Sequence, residues 1–100
     1  MRNYRDREAV RLFERERAHR LPARVQRTAH RKLLLLDAAD TLGDLRVPPG
    51  NRLEELSGAH RGKHVIRIDE RWRICFRWDR GEAYDVEIAD ASLLAAEAEE

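Results

Sequence analysis

From residue 63 onward the apolar positions recur at every second residue. Ile66, Ile68, Trp72, Ile74, Phe76, Trp78, Tyr84, Val86 and Ile88 all fall at even numbers, the period of strands that bury one face. The pattern predicts a three-stranded antiparallel meander. Keeping even parity through both reversals requires loops of odd length, so three-residue connections are expected at 69–71 and 80–82, the second using Gly81 at positive φ. In the first forty residues the period is instead three to four. Ala9, Val10, Leu12 and Phe13 give a narrow stripe for a short helix, which Asp6 can cap and Pro22 interrupts. Val25, Ala29, Leu33 and Leu36 predict a longer helix over 23–39, its buried face widened by the leucine run 33–36. The stretch "LGDLRVPPGN" then carries two prolines and a glycine, which exclude regular structure across 48–50 and lead into a strand at 52–56. The expected fold class is α+β: two N-terminal helices packed on one face of a small twisted antiparallel β-sheet, with Trp72, Ile74, Phe76 and Val86 in the core.

One hundred residues suffice for one compact domain with a modest core. A single domain over 1–92 is expected, followed by an acidic C-terminal tail, 93–100. Apolar residues make up 42% of the chain and charged residues 39%, so the chain is highly charged yet apolar enough to fold. The lone Cys75 allows no internal disulfide and no segment has the length or hydropathy of a membrane span or secretory core. A reducing, cytoplasmic setting follows.

The formal net charge of +1 hides an asymmetry. Residues 1–32 hold eleven Arg or Lys against four Asp or Glu; residues 83–100 hold six acids and no base. The basic third suits an acidic partner, nucleic acid or protein, whereas the tail would repel a phosphate backbone. The same blocks are equally those of a solvated basic helix face and a solvated acidic tail.

The strand register carries more chemistry. With three-residue loops, Arg67 faces Arg73, Val65 faces Cys75, Arg77 faces Asp85, and Arg73 also faces Ala89. Arg77 thereby gains a carboxylate. Arg67 and Arg73 do not, and like charges directly opposite on a sheet are destabilising. Two forked guanidiniums side by side match the oxygens of a phosphate. The competing reading is that Asp69, Glu70 or Glu87 reaches diagonally and neutralises the pair.

The segments "LRVPPGNRLEELSG", "IRIDERWRICFRW" and "YDVEIAD" resemble the HigB-like toxins of bacterial toxin-antitoxin pairs, within the RelE and ParE toxin superfamily. The resemblance covers nearly the whole chain. It implies a ribosome-dependent endoribonuclease, an mRNA interferase that inhibits translation, needs no metal or other cofactor, and is silenced by a helix-turn-helix, HigA-like antitoxin. Its partners would be that antitoxin and messenger RNA on the ribosome. Membrane is not expected, and DNA only indirectly, through the antitoxin. In such cleavage a base takes the ribose 2′-hydroxyl proton, the oxygen attacks the adjacent phosphorus, cations stabilise the phosphorane, and an acid protonates the departing 5′-oxygen.

Arg73 matches the family's phosphate-binding arginine, the residue the register had already singled out. Where the family commonly ends its last strand in Asp-Tyr-His, this chain reads Asp90, Ala91, Ser92, and Ser57 stands where many members have a lysine. The catalytic candidates are therefore Arg73, Asp90 and His60, the last because an imidazole exchanges protons near neutrality. Arg67, Arg71, Lys63, Arg61 and Ser57 are the candidate RNA or phosphate ligands. Four scattered histidines and one cysteine lack metal-ligand spacing. The altered terminus keeps two alternatives in view: a toxin homologue that no longer cuts and acts as an antitoxin-binding, autoregulatory module, and a ParE-like inhibitor of gyrase.

Overall fold

The computed structural model describes residues 3–5, 7–14, 21–47 and 49–98. Two helices, α1 (Arg7–Phe13) and α2 (Ala23–Ala38), precede four strands, β1 (Glu54–Glu55), β2 (Lys63–Arg67), β3 (Trp72–Asp79) and β4 (Glu82–Asp90), and a last helix, α3 (Ala91–Ala98). The strands form one antiparallel sheet in the order β1-β2-β3-β4.

Both N-terminal helices lie on the even face, as the periodicities predict. Ala9 and Leu12 of α1 and Val25, Ala29, Leu33 and Leu36 of α2 pack with Ile66, Trp72, Ile74, Phe76, Val86 and Ile88 of the sheet in one buried cluster. Fully burying an aliphatic or aromatic side chain stabilises by about 1.5–3 kcal/mol, so this layer supplies the main drive to fold. His30 Nδ1 on α2 donates to the carbonyl of Leu12 at 2.5 Å, tying the end of α1 to its neighbour. The capping role expected of Asp6 lies outside the described residues.

The connector is more ordered than its prolines suggest. Residues Leu42–Arg46 form a 3₁₀ turn closed by a capping box between Thr41 and Asp44, and Pro49–Asn51 form another. Proline is tolerated in the first turn of a helix, where its missing N–H costs nothing. The strand expected at 52–56 shrinks to two residues, which pair Glu54 with Val65 and Glu55 with His64.

The second reversal differs from expectation. Asp79 pairs with Glu82, leaving a two-residue turn of Arg80 and Gly81, both at positive φ (51° and 78°). That geometry matches the right-handed twist of the strands. The register then slips by one at a bulge around Asp85, which adopts φ 51°. A two-residue turn plus one bulged residue restores the parity that a three-residue loop would have kept. Val86 and Ile88 therefore stay inside, but next to the turn it is Ala83, 1% exposed, that enters the core, and Tyr84 is only half-buried. The N-terminal segment uses the bulge: the Asp85 N–H donates to Asn3 Oδ1 and the Arg5 N–H to the Val86 carbonyl, so Tyr4 bridges to the edge of β4 in parallel.

The odd face is also covered in part. Helix α3 begins at Ala91 and runs through most of the segment expected as a tail, 93–100; its Leu94 packs on Val65 and Cys75, with Leu56 and Ala89 at the margin.

Candidate phosphate-binding face

Alternation along β2 and β3 turns their odd residues away from α1 and α2. Three cross-strand pairs follow one another on that face: Lys63 with Arg77, Val65 with Cys75, and Arg67 with Arg73. The middle pair is apolar and buried beneath Leu94. The two outer pairs are cationic.

The Arg67–Arg73 pairing is the one the sequence predicts, because the first hairpin keeps its expected register. Neither guanidinium forms an ion pair with a carboxylate among the described residues. Of the diagonal acids, Glu70 is exposed and forms no ion pair among the described residues, and the other two are engaged elsewhere. Asp69 accepts from the backbone N–H groups of Arg71 (2.9 Å) and Trp72 (2.7 Å), and Glu87 pairs with Arg5 at 3.1 Å. Arg73 instead donates through Nη1 to the carbonyl oxygens of Asp69 and Trp72, bonds that fix its direction without cancelling its charge. Burial, and then the like charge of Arg67, push the Arg73 guanidinium below its ordinary pKa; Glu54 and Asp69 oppose this shift and Arg52 adds to it. An arginine still keeps its proton at any physiological pH. Lys32 of α2 steadies the other partner by donating to the Arg67 carbonyl at 2.5 Å and to that of Gly50 at 3.4 Å.

Arg52 and Glu54 are the residues that sequence reasoning missed here. Once β1 pairs with β2, Glu54 stands opposite Val65, on the same face as Arg67 and Arg73. It is exposed, as is Arg52, and both act electrostatically on Arg73. A strand inferred without a partner has no register, so nothing in the sequence placed them.

The other candidates lie elsewhere. Strand alternation puts Asp90 opposite Trp72, on the parity opposite to Arg73. Its Oδ2 accepts from Arg71 Nε at 2.9 Å and its Oδ1 from the Ser92 N–H at 2.9 Å. The hydrogen bond from Arg71, followed by those from Ser92, holds the carboxyl below the usual carboxylate range. Asp90 thus caps α3 and Arg71 holds the cap, its guanidinium 4.7 Å from the centre of the Trp72 ring. Ser57, His60 and Arg61 lie in the loop joining β1 to the start of β2, at the Lys63 end of the hairpin. Lys63 stands four residues from Arg67, about 13 Å along a strand, with the apolar pair under Leu94 between them. Lys63 is itself only 6% exposed and His60 8%, whereas Ser57 and Arg61 are exposed. The single patch expected from Arg73, Asp90 and the His60 loop is therefore divided: Asp90 lies on the opposite face from Arg73, and the Val65–Cys75 pair under α3 stands between the arginines and the His60 loop.

At the second cationic pair, Arg77 has its predicted partner by a changed route. The bulge moves Tyr84 opposite Arg77, yet Asp85 still reaches it, with Oδ2 3.5 Å from Nε. Cys75 offers no nucleophile: burial, reinforced by Glu87, pushes its thiol up to about 11. Among the described residues no group of three or more His, Cys, Asp or Glu side chains could hold a metal ion, and no helix is long and apolar enough to cross a membrane.

Helices packed with a four-stranded antiparallel sheet, an α+β arrangement, are consistent with a RelE-like toxin. The chain belongs to the HigB-like toxins, RelE-like toxins of the type II toxin-antitoxin system HigB, whose family pattern matches residues 2–90. It is 40% identical over 81 residues to Toxin HigB-1 of Vibrio cholerae serotype O1, covering 80% of this chain and 85% of that protein. An uncharacterised protein of Haemophilus influenzae is 27% identical over 81 residues, covering 80% of both chains. As a type II toxin it has an antitoxin partner.

Proposed function

We infer that this toxin inhibits translation by cutting messenger RNA on the ribosome in the cytoplasm, with Arg67 and Arg73 gripping the scissile phosphate. Membership among the HigB-like toxins supports an endoribonuclease. The observation that carries the reading is the facing pair of guanidiniums, neither of which forms an ion pair with a carboxylate among the described residues. Folding keeps two like charges adjacent; Arg73 spends Nη1 on the Asp69 and Trp72 carbonyls, which orients it while its charge stays available to an outside anion. As the 2′-oxygen attacks, negative charge grows on the non-bridging oxygens, and fixed cations stabilise that state more than the substrate. Glu54, exposed on the same face, is the base this reading assigns to the 2′-hydroxyl proton, with solvent water protonating the departing 5′-oxygen. Metal has no part in this scheme.

The altered terminus favours the second reading, an antitoxin-binding homologue that no longer cuts. Asp90 is engaged in capping α3, and neither Ala91 nor Ser92 is a ready proton donor. Single-turnover cleavage on programmed ribosomes separates the two. The nuclease reading expects Arg73→Ala to slow cleavage by about a hundredfold, the scale of losing one oxyanion donor. Arg73→Lys should recover part of the loss, since an ammonium keeps the charge but not the fork. Equal rates for parent and Arg73→Ala would remove the arginine from the mechanism, and a parent that cuts nothing would establish the silent homologue.

A further inference from the structure

The outward face of α2 has no part in the site just described. Val25, Ala29, Leu33 and Leu36 point into the core. On the opposite side, Arg24, Arg27, Arg31, Leu34, Leu35 and Ala38 are all exposed, Leu34 to 44% and Leu35 to 40%. At 100° per residue these six fall within an arc of about 100°, centred opposite the buried face. They form one stripe, basic in its first half and apolar in its second. None of its three arginines forms an ion pair among the described residues.

We propose that this stripe docks an amphipathic acidic segment of the antitoxin, with carboxylates against Arg24, Arg27 and Arg31 and apolar side chains against Leu34, Leu35 and Ala38. The proposal rests on the membership that gives the chain an antitoxin and is independent of RNA cleavage. The stripe spans about 21 Å, fourteen residue steps at 1.5 Å each, so a partner helix of about four turns would cover it. Two other occupants fit worse. A nucleic acid would use the arginines but would leave two leucines and an alanine facing phosphate or water, beside the exposed carboxylate of Asp37. A second copy packed antiparallel would set the guanidiniums of one stripe against the apolar half of the other, desolvating them without a carboxylate; packed parallel, it would set arginine against arginine.

The test measures binding kinetics between the full toxin and the antitoxin encoded beside it, using two surface variants, Arg27→Glu/Arg31→Glu and Leu34→Ser/Leu35→Ser. Thermal melting establishes that both remain folded. Charge reversal should slow association at least tenfold at low salt, with the gap from the parent closing as salt rises. The serine pair should speed dissociation about tenfold. Affinities within twofold of the parent for both variants would overturn the proposal. So would loss of a toxin dimer on Leu34→Ser/Leu35→Ser with antitoxin binding intact, which would identify a second copy as the occupant. A fall in RNA binding on Arg27→Glu/Arg31→Glu with unchanged antitoxin affinity would assign the face to nucleic acid instead.

Discussion

Arg71 donates Nε to one carboxylate oxygen of Asp90 at 2.9 Å, and the other oxygen of the same carboxylate accepts from the backbone N–H of Ser92, also at 2.9 Å. The strand end and the first turn of α3 are thereby held together. Side-chain acceptors at this position satisfy N–H groups that a helix start leaves without partners.

This arrangement makes α3 acid-sensitive. The Asp90 carboxyl is depressed in the folded protein, first by Arg71 and then by Ser92. A group with a depressed folded pKa contributes stability that is fully present above its unfolded value, about 4, and is lost as pH falls through the folded value. The protection factor of the Leu94 amide, its exchange relative to an unstructured amide at the same pH, should accordingly fall below pH 4 in the parent. In Asp90→Asn the protection should be lower at pH 7 and lack this acid step. Identical pH profiles for the two would show that the carboxylate does not hold the helix.

The β3–β4 turn predicts a stabilised variant. Arg80 and Gly81 both sit at positive φ, the requirement of the turn that asparagine-glycine fills best. Arg80→Asn should raise stability by about 0.5–1 kcal/mol, read as a higher melting temperature. The ion pair it removes, Arg80 with Asp79 at 3.9 Å, is exposed on both sides and worth little. Gly81→Ala should act in the other direction, since a Cβ there would need φ near 78° and would sit 3.4 Å from the Asp40 carbonyl oxygen. A lower melting temperature for Arg80→Asn would mean that the side chain of Arg80 contributes more than its backbone strain costs.

The core predicts the largest losses. Ile74 is fully buried between Ile66 and Ile88 on the neighbouring strands. Ile74→Asp should bury a carboxylate with no partner, costing several kcal/mol, a large part of the stability of a small domain. Phe76→Ala, at a residue also 0% exposed, should cost about 3–5 kcal/mol. Denaturant titration checks both, and a folded Ile74→Asp would mean that the strand faces are inverted.

Local periodicity made the helices, the first hairpin and the Arg67–Arg73 pair legible, because each depends on residues close in sequence. What escaped depended on distant or unusual contacts. A two-residue turn with a later bulge gives nearly the same parity as a three-residue loop, so the alternation of β4 could not distinguish them; only Ala83 in place of Tyr84 betrays the difference. Glu54 entered the site only through a two-residue pairing with β2. The segment "ASLLAAEAEE" reads as a polar tail by its three terminal acids and as a helix by its alanines and leucines, and packing of Leu94 over Cys75 decides for the helix. That helix is also what separates His60 and Lys63 from the arginine pair.

The facing arginines predict opposite effects on folding and function. Like charges facing each other across paired strands destabilise by a few tenths of a kcal/mol up to about 1, and Arg67 acts on Arg73 as a like charge. Arg67→Ala should therefore melt at a slightly higher temperature than the parent, and the gain should shrink as added salt screens the pair. The same variant should cleave ribosome-bound message at least tenfold more slowly, because one of two guanidiniums facing the phosphate is gone. Arg77→Ala serves as the contrast: its guanidinium already has Asp85 at 3.5 Å, so its loss should neither raise stability nor slow cleavage to the same degree. The pair of measurements is a melting curve at low and high salt and a single-turnover rate for each variant. A site retained for anion binding gains stability as it loses rate; if Arg67→Ala lost stability while cleaving at the parent's rate, the pair would be a structural feature of the hairpin and the phosphate would have to bind elsewhere.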